Sequence, residues 1–225
     1  MANVLSTDDG LDKIYLHTGF SSTISNSFSS PSTGLAGVSW DGTNVLSTDA
    51  DSAKIYLHTG FSSTISNSFS GPSTAPRGLS WDSTNILSAD QNSAKIYLHT
   101  GFSSTVSNSF SSPSNGCTNV SWNGINALSC DYISSKIYLH TGFSSTISNS
   151  FSSPSTVITG LSWDSTNILS ADQNVAKIYL HTGFSSTISN SFSSPSNVPY
   201  GVEWDDRVYW GRFPKGSYYP HILSQ

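Results

Sequence analysis

An all-β fold, a five-bladed β-propeller, is predicted by three observations. The block KIYLHTGFSST begins at Lys13, Lys54, Lys95, Lys136 and Lys177, always 41 residues apart. A tryptophan keeps the same spacing, at Trp40, Trp81, Trp122, Trp163 and Trp204. Each period holds four short apolar runs and nothing with helical spacing. A period of about 40 residues with four strands per unit is the pattern of a propeller blade, and a lone blade cannot bury both of its faces. Residues 1–205 are therefore read as one propeller, and residues 206–225 as a C-terminal tail packed on it.

The elements can be justified in order on the copy spanning 36–69. Residues 36–40 form a first strand that ends in Trp-Asp-Gly, a turn signal. Residues 44–49 form the second. Residues 54–59 form the third, with Ile55 and Leu57 on one face and Tyr56 and His58 on the other. Residues 64–69 form the fourth, with Ile65 and Phe69 sharing a face. Both faces are partly apolar or small, as a blade sandwiched between two others requires. Residues 1–28 supply only a second, third and fourth strand. The missing first strand is the run 200–204, so the last blade is built from both ends of the chain and leaves no open edge there. Residues 207–211 resemble a further second strand; the run 4–8, which matches the repeat, is expected to hold that place.

The repeat reads G-[LV]-S-W-D-x-x-N-x-L-S-x-D, then K-I-Y-L-H-T-G, then S-F-S-x-P. In the fourth copy the matching positions are Gly160, Trp163, Asp164, Leu169, Asp172, Ile178, Gly183 and Phe192. This pattern resembles the NHL-like and YVTN-like (WD-type) blade repeats and covers residues 1–205 in five copies. The resemblance implies the fold and says little about activity, because propellers serve many chemistries. The architecture is also similar to that of the five-bladed lectins of the tachylectin-2 kind, whose sugar-binding residues have no counterpart here.

Hydrophobic residues make up 36% of the chain, enough to fill a core, whereas only 10% are charged. The net charge is −5, and five of the nine basic residues are the same repeated lysine, so there is no basic patch. Nucleic acid is not an expected partner. No apolar run approaches the ~20 residues needed to span a bilayer. The start, MANVLSTDDG, lacks the charged and apolar stretches of a signal peptide. That fits an intracellular chain, one whose leader was removed, or one that leaves the cell by another route. A monomer is expected.

The copies differ in two places. One is the connection before the first strand: 34–36, 75–77, 116–118, 157–159 and 198–200. The other is the turn between second and third strands: 9–12, 50–53, 91–94, 132–135 and 173–176. Connections alternate ends in a four-stranded meander, so both variable sets fall on one rim of the disc and both invariant sets on the other. Loops on a rigid scaffold are where binding residues concentrate. The candidate ligand-binding residues are therefore Arg77, Gln91, Asn92, Tyr132, Gln173, Asn174 and Tyr200, with Trp210 of the tail as an aromatic the repeat does not explain. The competing reading is that these loops simply tolerate change.

Other constellations favour structure over chemistry. His17, His58, His99, His140 and His181 occupy one equivalent position, a ring and not a cluster, whereas metal ligands must converge within about 2.1 Å of one ion. They are expected to be hydrogen-bonded between blades, and no metal or cofactor is expected. His221 in the tail has no nameable partner. Asp8, Asp49, Asp90, Asp131 and Asp172 end the second strands, where aspartate accepts hydrogen bonds from turn amides. Glu203, the only glutamate, replaces a serine and has no evident catalytic partner. The five repeat tryptophans read as core ahead of sugar platforms. Cys117 and Cys130 face each other, and a disulfide is open to them, if Asn123-Gly124 forms a two-residue turn; a longer turn offsets them by two residues and forbids it.

These readings point to a non-enzymatic recognition module for glycans or a protein surface, lectin-like and multivalent through the variable rim. The alternative is a structural scaffold without a ligand: a virion or appendage component, or a recently amplified or engineered repeat.

Overall fold

The computed structural model describes residues 2–205, and all the secondary structure it holds is β. Three sequence expectations on the tail, namely its packing on the disc, Trp210 and the rival strand 207–211, fall outside the described residues.

Twenty strands form five sheets of four. The closing blade takes β1 (Asn3–Asp8), β2 (Lys13–His17) and β3 (Ile24–Ser29). The second blade is β4 (Leu35–Trp40), β5 (Val45–Asp49), β6 (Lys54–His58) and β7 (Ile65–Ser70). The third is β8 (Pro76–Trp81), β9 (Ile86–Asp90), β10 (Lys95–His99) and β11 (Val106–Ser111). The fourth is β12 (Cys117–Trp122), β13 (Ala127–Asp131), β14 (Lys136–His140) and β15 (Ile147–Ser152). The fifth is β16 (Ile158–Trp163), β17 (Ile168–Asp172), β18 (Lys177–His181) and β19 (Ile188–Ser193). Finally β20 (Pro199–Asp205) returns to pair antiparallel with β1, Val4 opposite Trp204 and Leu5 opposite Glu203. The five-bladed ring, and its closure by the two chain ends, are as the repeat predicts.

The first strands β4, β8, β12, β16 and β20 line the axis and touch one another around it. There the backbones come so close that a side chain barely fits. A Cβ on Gly160 would lie 2.5 Å from the Tyr200 carbonyl oxygen. The fourth blade carries Asn119 at this level, whose amide donates to the Thr159 carbonyl at 3.5 Å. Threonines stitch neighbouring inner strands together: Thr48 Oγ1 donates to the Arg77 carbonyl (2.7 Å) and Thr118 Oγ1 to that of Ile158 (2.9 Å).

Apolar burial lies between blades in five equivalent clusters. Each joins the second and third strands of one blade to the first strand of the next, as Leu46 and Ile55 meet Leu79. Cys117 belongs to the cluster shared with the third blade, and Cys130 to the one shared with the fifth. The two thiols therefore point to opposite faces of their blade. The turn 123–126 is four residues long, Trp122 pairs with Ala127, and Cys130 faces Asn119. This is the longer-turn case, so no disulfide bridges them, and both cysteines are free and buried.

Candidate functional site at the tryptophan end of the axis

Both variable loop sets do lie on one rim. Backbone bonds tie them together in pairs, such as Ala50 N–H to the Gly34 carbonyl (2.8 Å) and Tyr132 N–H to the Gly116 carbonyl (3.0 Å). The strand-ending aspartates hold these turns. Asp49 Oδ1 accepts from Ser52 N–H (2.8 Å), and its other oxygen accepts from Ser32 Oγ; Asp90 accepts from Ser93 N–H (2.9 Å) and Ser73 Oγ (2.6 Å). The turn-holding role expected for them is the one they have.

Four candidate residues of this rim meet across the axis. Arg77 of the third blade reaches over the ring of Tyr200, two blades away, with its guanidinium carbon 5.3 Å from the ring centre. Its Nε donates to Gln91 Oε1 at 3.2 Å, and Gln91 Nε2 donates to the Tyr132 hydroxyl at 3.3 Å. Burial pushes the Tyr200 phenol up to about 12, with Arg77 opposing the shift, and burial also raises the Asp9 carboxyl. The four side chains are thus linked by two hydrogen bonds and one cation–π contact. Asn92, whose amide donates to Thr74 Oγ1 at 2.9 Å, and Asn174 stand exposed, while Gln173 is half-buried.

The histidine ring is structural, and its bonding differs in one respect from expectation. Each Nε2 is bonded within its own blade, to a serine of the second strand, as in Ser47–His58 (2.9 Å) and Ser129–His140 (2.8 Å). The contact between blades is an aromatic one: Phe28 of β3 lies 5.1 Å from the His58 ring. These serine–histidine pairs have the spacing of a nucleophile and base, yet each of the five repeat histidines is fully buried. Burial pushes each of them down to about 4.

A cavity opens at the opposite end of the axis. It has a volume of 280 Å³ and is lined by Trp40, Trp81, Trp122, Trp163, Asp41, Gly42, Glu203, Ser80, Ser83 and Ser121. That volume is near the lower end of the ~300–1,000 Å³ usual for ligand sites. The strands explain its walls. Each first strand carries its tryptophan at or one residue before its end on the invariant rim, and each indole packs on an interblade cluster, as expected of core residues. Trp81, Trp122 and Trp163 are only half-buried, so they serve as core and lining at once. Below them, Ser39 Oγ accepts from Trp81 N–H of the next blade (3.0 Å), and Ser80 Oγ from Trp122 N–H (3.2 Å). Glu203 occupies the equivalent place in β20 and breaks the ring of serines. Asp41 is held by its own turn, accepting from Thr43 N–H (2.8 Å), Asn44 N–H (2.6 Å) and Asn44 Nδ2 (3.1 Å). Sequence reasoning noted Glu203 and the tryptophans separately. The signal that joins them was present: both sit at the same two consecutive positions of the innermost strand.

No family model and no curated protein matches this chain. Solved structures do. Glutaminyl cyclase of Myxococcus xanthus is 9% identical, with 72% of this chain and 71% of that one covered at a TM-score of 0.62. The computationally designed protein Ika8 is 10% identical, with 88% of this chain and 61% of that one covered at a TM-score of 0.52. At such identities the likeness shows the fold alone. The class is thus a five-bladed β-propeller with near-identical blades, a fold that commonly serves as a binding module.

Proposed function

We propose that this protein is a non-enzymatic recognition module that takes one small polar ligand, of the carbohydrate class, in the tryptophan-lined end of the axis. The observation that carries the reading is the cavity itself: four tryptophans, three serines and two acidic residues line one space. Aromatic walls cover the apolar faces of a sugar ring, and convergent polar groups fix its orientation. Asp41 accepts three hydrogen bonds from its own turn and is spent on holding it, so it does not join Glu203 as a pair of catalytic carboxylates. A hydrolase acting on glycosides uses a pair.

A second reading keeps the ligand on the variable rim, through the exposed Asn92 and Asn174 with Gln173 beside them. Stoichiometry separates the two. A glycan array, followed by calorimetry on the best hit, is expected to give one site per chain, lost in Trp122→Ala. Several sites per chain, unaffected by Trp122→Ala, would move the ligand to the rim. Turnover of the bound compound, or cyclisation of glutaminyl peptides such as the neighbour's name describes, would overturn the non-enzymatic reading. A chain that binds nothing on the array is a scaffold.

A further inference from the structure

We infer that the five outer edge strands are guarded against pairing with a second copy of this chain, and that the guard is the asparagine at the third residue of each: Asn26, Asn67, Asn108, Asn149 and Asn190. Ligand choice at the axis plays no part in it.

Each of β3, β7, β11, β15 and β19 ends its sheet, and among the described residues no strand pairs with its outer side. An uncovered edge of this kind is a template for another strand. The edges read Ile-Ser-Asn-Ser-Phe-Ser, with valine for isoleucine in β11, and are exposed along most of their length. They hold no charged residue and no proline, the usual means of keeping edges apart, while their β-branched and aromatic residues suit a sheet. Two such strands are self-complementary, since an antiparallel pair of identical segments has twofold symmetry. One disc carries five of them, so even a weak pairing is multiplied.

The backbone bonds show what closes the edge. Ser30 N–H donates to the Asp12 carbonyl at 2.8 Å, and hydrogen-bonded pairs recur at every second residue of an antiparallel ladder. Phe28 and Asn26, opposite Ile14 and Leu16, therefore turn their N–H groups inward to β2, and Ser27 turns its own outward. That donor is spent: Ser27 N–H donates to Asn26 Oδ1 at 2.8 Å. The same bond, again at 2.8 Å, runs from Ser68 to Asn67, Ser109 to Asn108, Ser150 to Asn149 and Ser191 to Asn190. On one side of it the strand is bulged at Ser25, whose Oγ folds back to donate to the Leu16 carbonyl at 3.0 Å. On the other side Pro31 stands two residues beyond the strand. A bulge bends an edge away and proline cannot extend a ladder, so the middle N–H is the donor a second copy needs, and asparagine holds it.

The test uses the full-length chain with all five asparagines replaced, once by threonine and once by alanine. Both remove the side-chain carbonyl, but only threonine raises β-propensity. The five positions are exposed, and far-UV circular dichroism with a melting curve confirms that both variants fold. Sedimentation velocity over a concentration series then compares each with the unchanged chain. In both variants, half of the chains are expected to sediment faster than monomer at a concentration at least about tenfold lower than in the unchanged chain. Hydrogen exchange read by mass spectrometry should show the added protection in fourth-strand peptides of the assembled sample. Association equal to that of the unchanged chain overturns the guard. Association of the threonine variant alone assigns the effect to β-propensity and overturns it too, as does association of the alanine variant alone. Assemblies whose fourth strands gain no protection pair through another surface, and that also overturns it.

Discussion

At the scale of single residues the repeats act as an internal alignment, so the cost of one residue can be read against its own copies. The second residue of the Asp-x-Thr-Asn turn, which three blades share, is glycine at Gly42 and serine at Ser83 and Ser165. All sit in left-handed backbone: φ is 94° at Gly42, 83° at Ser83 and 77° at Ser165. Glycine populates that region freely, whereas an L-residue is penalised by its Cβ. A Cβ on Gly42 would meet nothing within 4 Å, so conformation alone decides the preference there. Ser83→Gly and Ser165→Gly are each expected to stabilise the protein by about 0.5–1 kcal/mol, net of glycine's entropy. For a chain of this size that is a rise in melting temperature of roughly 2–4 °C for the pair at the lower bound. Gly42→Ser should move calorimetric melting the other way.

At the scale of elements the decisive one is the seam between β20 and β1. Residues 1–205 are five whole periods of 41, so a residue following Asp205 falls where Met1 belongs. The seam reproduces the interior turns without a peptide bond. Asn3 Nδ2 donates to Asp205 Oδ2 at 3.3 Å, as Asn85 does to Asp82 at 3.3 Å, and Asn3 Oδ1 accepts from Gly19 N–H at 2.9 Å, as Asn44 does from Gly60 N–H at 2.9 Å. A permuted chain with Asp205 fused to Met1, and new ends between Gly42 and Thr43, is therefore expected to keep its fold and to melt within a few degrees of a chain cut after residue 205. Removing residues 1–8 should instead be severe. It strips Val4 from one interblade cluster and Leu5 from another, and unpairs both β20 and β2. Denaturant unfolding of the two chains measures the contrast. Most of this was legible in the sequence, because a fixed period with tryptophan and KIYLH markers specifies strand number, order and closure. The bulges were not legible. A bulged residue such as Arg77 or Thr118 opposes nothing on β9 or β13 and looks like any other strand residue. The cavity was half legible. Period-two alternation shows that tryptophan ends the inner strand, but only the closeness of the five inner strands turns a row of core residues into a wall.

At the scale of the whole molecule, fivefold repetition multiplies any linkage that one blade carries, and the strongest is protonation of the buried histidines. Each is pushed from 6.5 down to about 4 by burial beneath the neighbouring blade, with a carbonyl contact at Nδ1 opposing, as in His99 to Ser103 at 3.1 Å. The sign follows from where protons bind. Between pH 6.5 and about 4 the unfolded chain takes up a proton per histidine that the folded ring refuses, so stability is full above 6.5 and is lost as the pH falls towards 4. Each histidine is worth on the order of 2–3 kcal/mol at the acid end. Five together rival the ~5–15 kcal/mol that holds a typical domain folded. Asp8, Asp9 and Asp12 are raised by burial and act the other way, since their folded forms bind protons more readily, but they are three carboxyls against five imidazoles. Melting temperature is thus expected to fall steadily from pH 7 to 5, with the ring unfolding at room temperature near pH 4–4.5. His99→Asn should lower stability at pH 7, because Ser88 Oγ loses its partner at 2.9 Å, and should flatten the pH dependence by about one fifth of its slope. A melting curve that stays level from pH 7 to 4.5 would mean that the ring accommodates charged imidazolium between its blades, which five fully buried histidines packed against tilted phenylalanine rings give it no means to do.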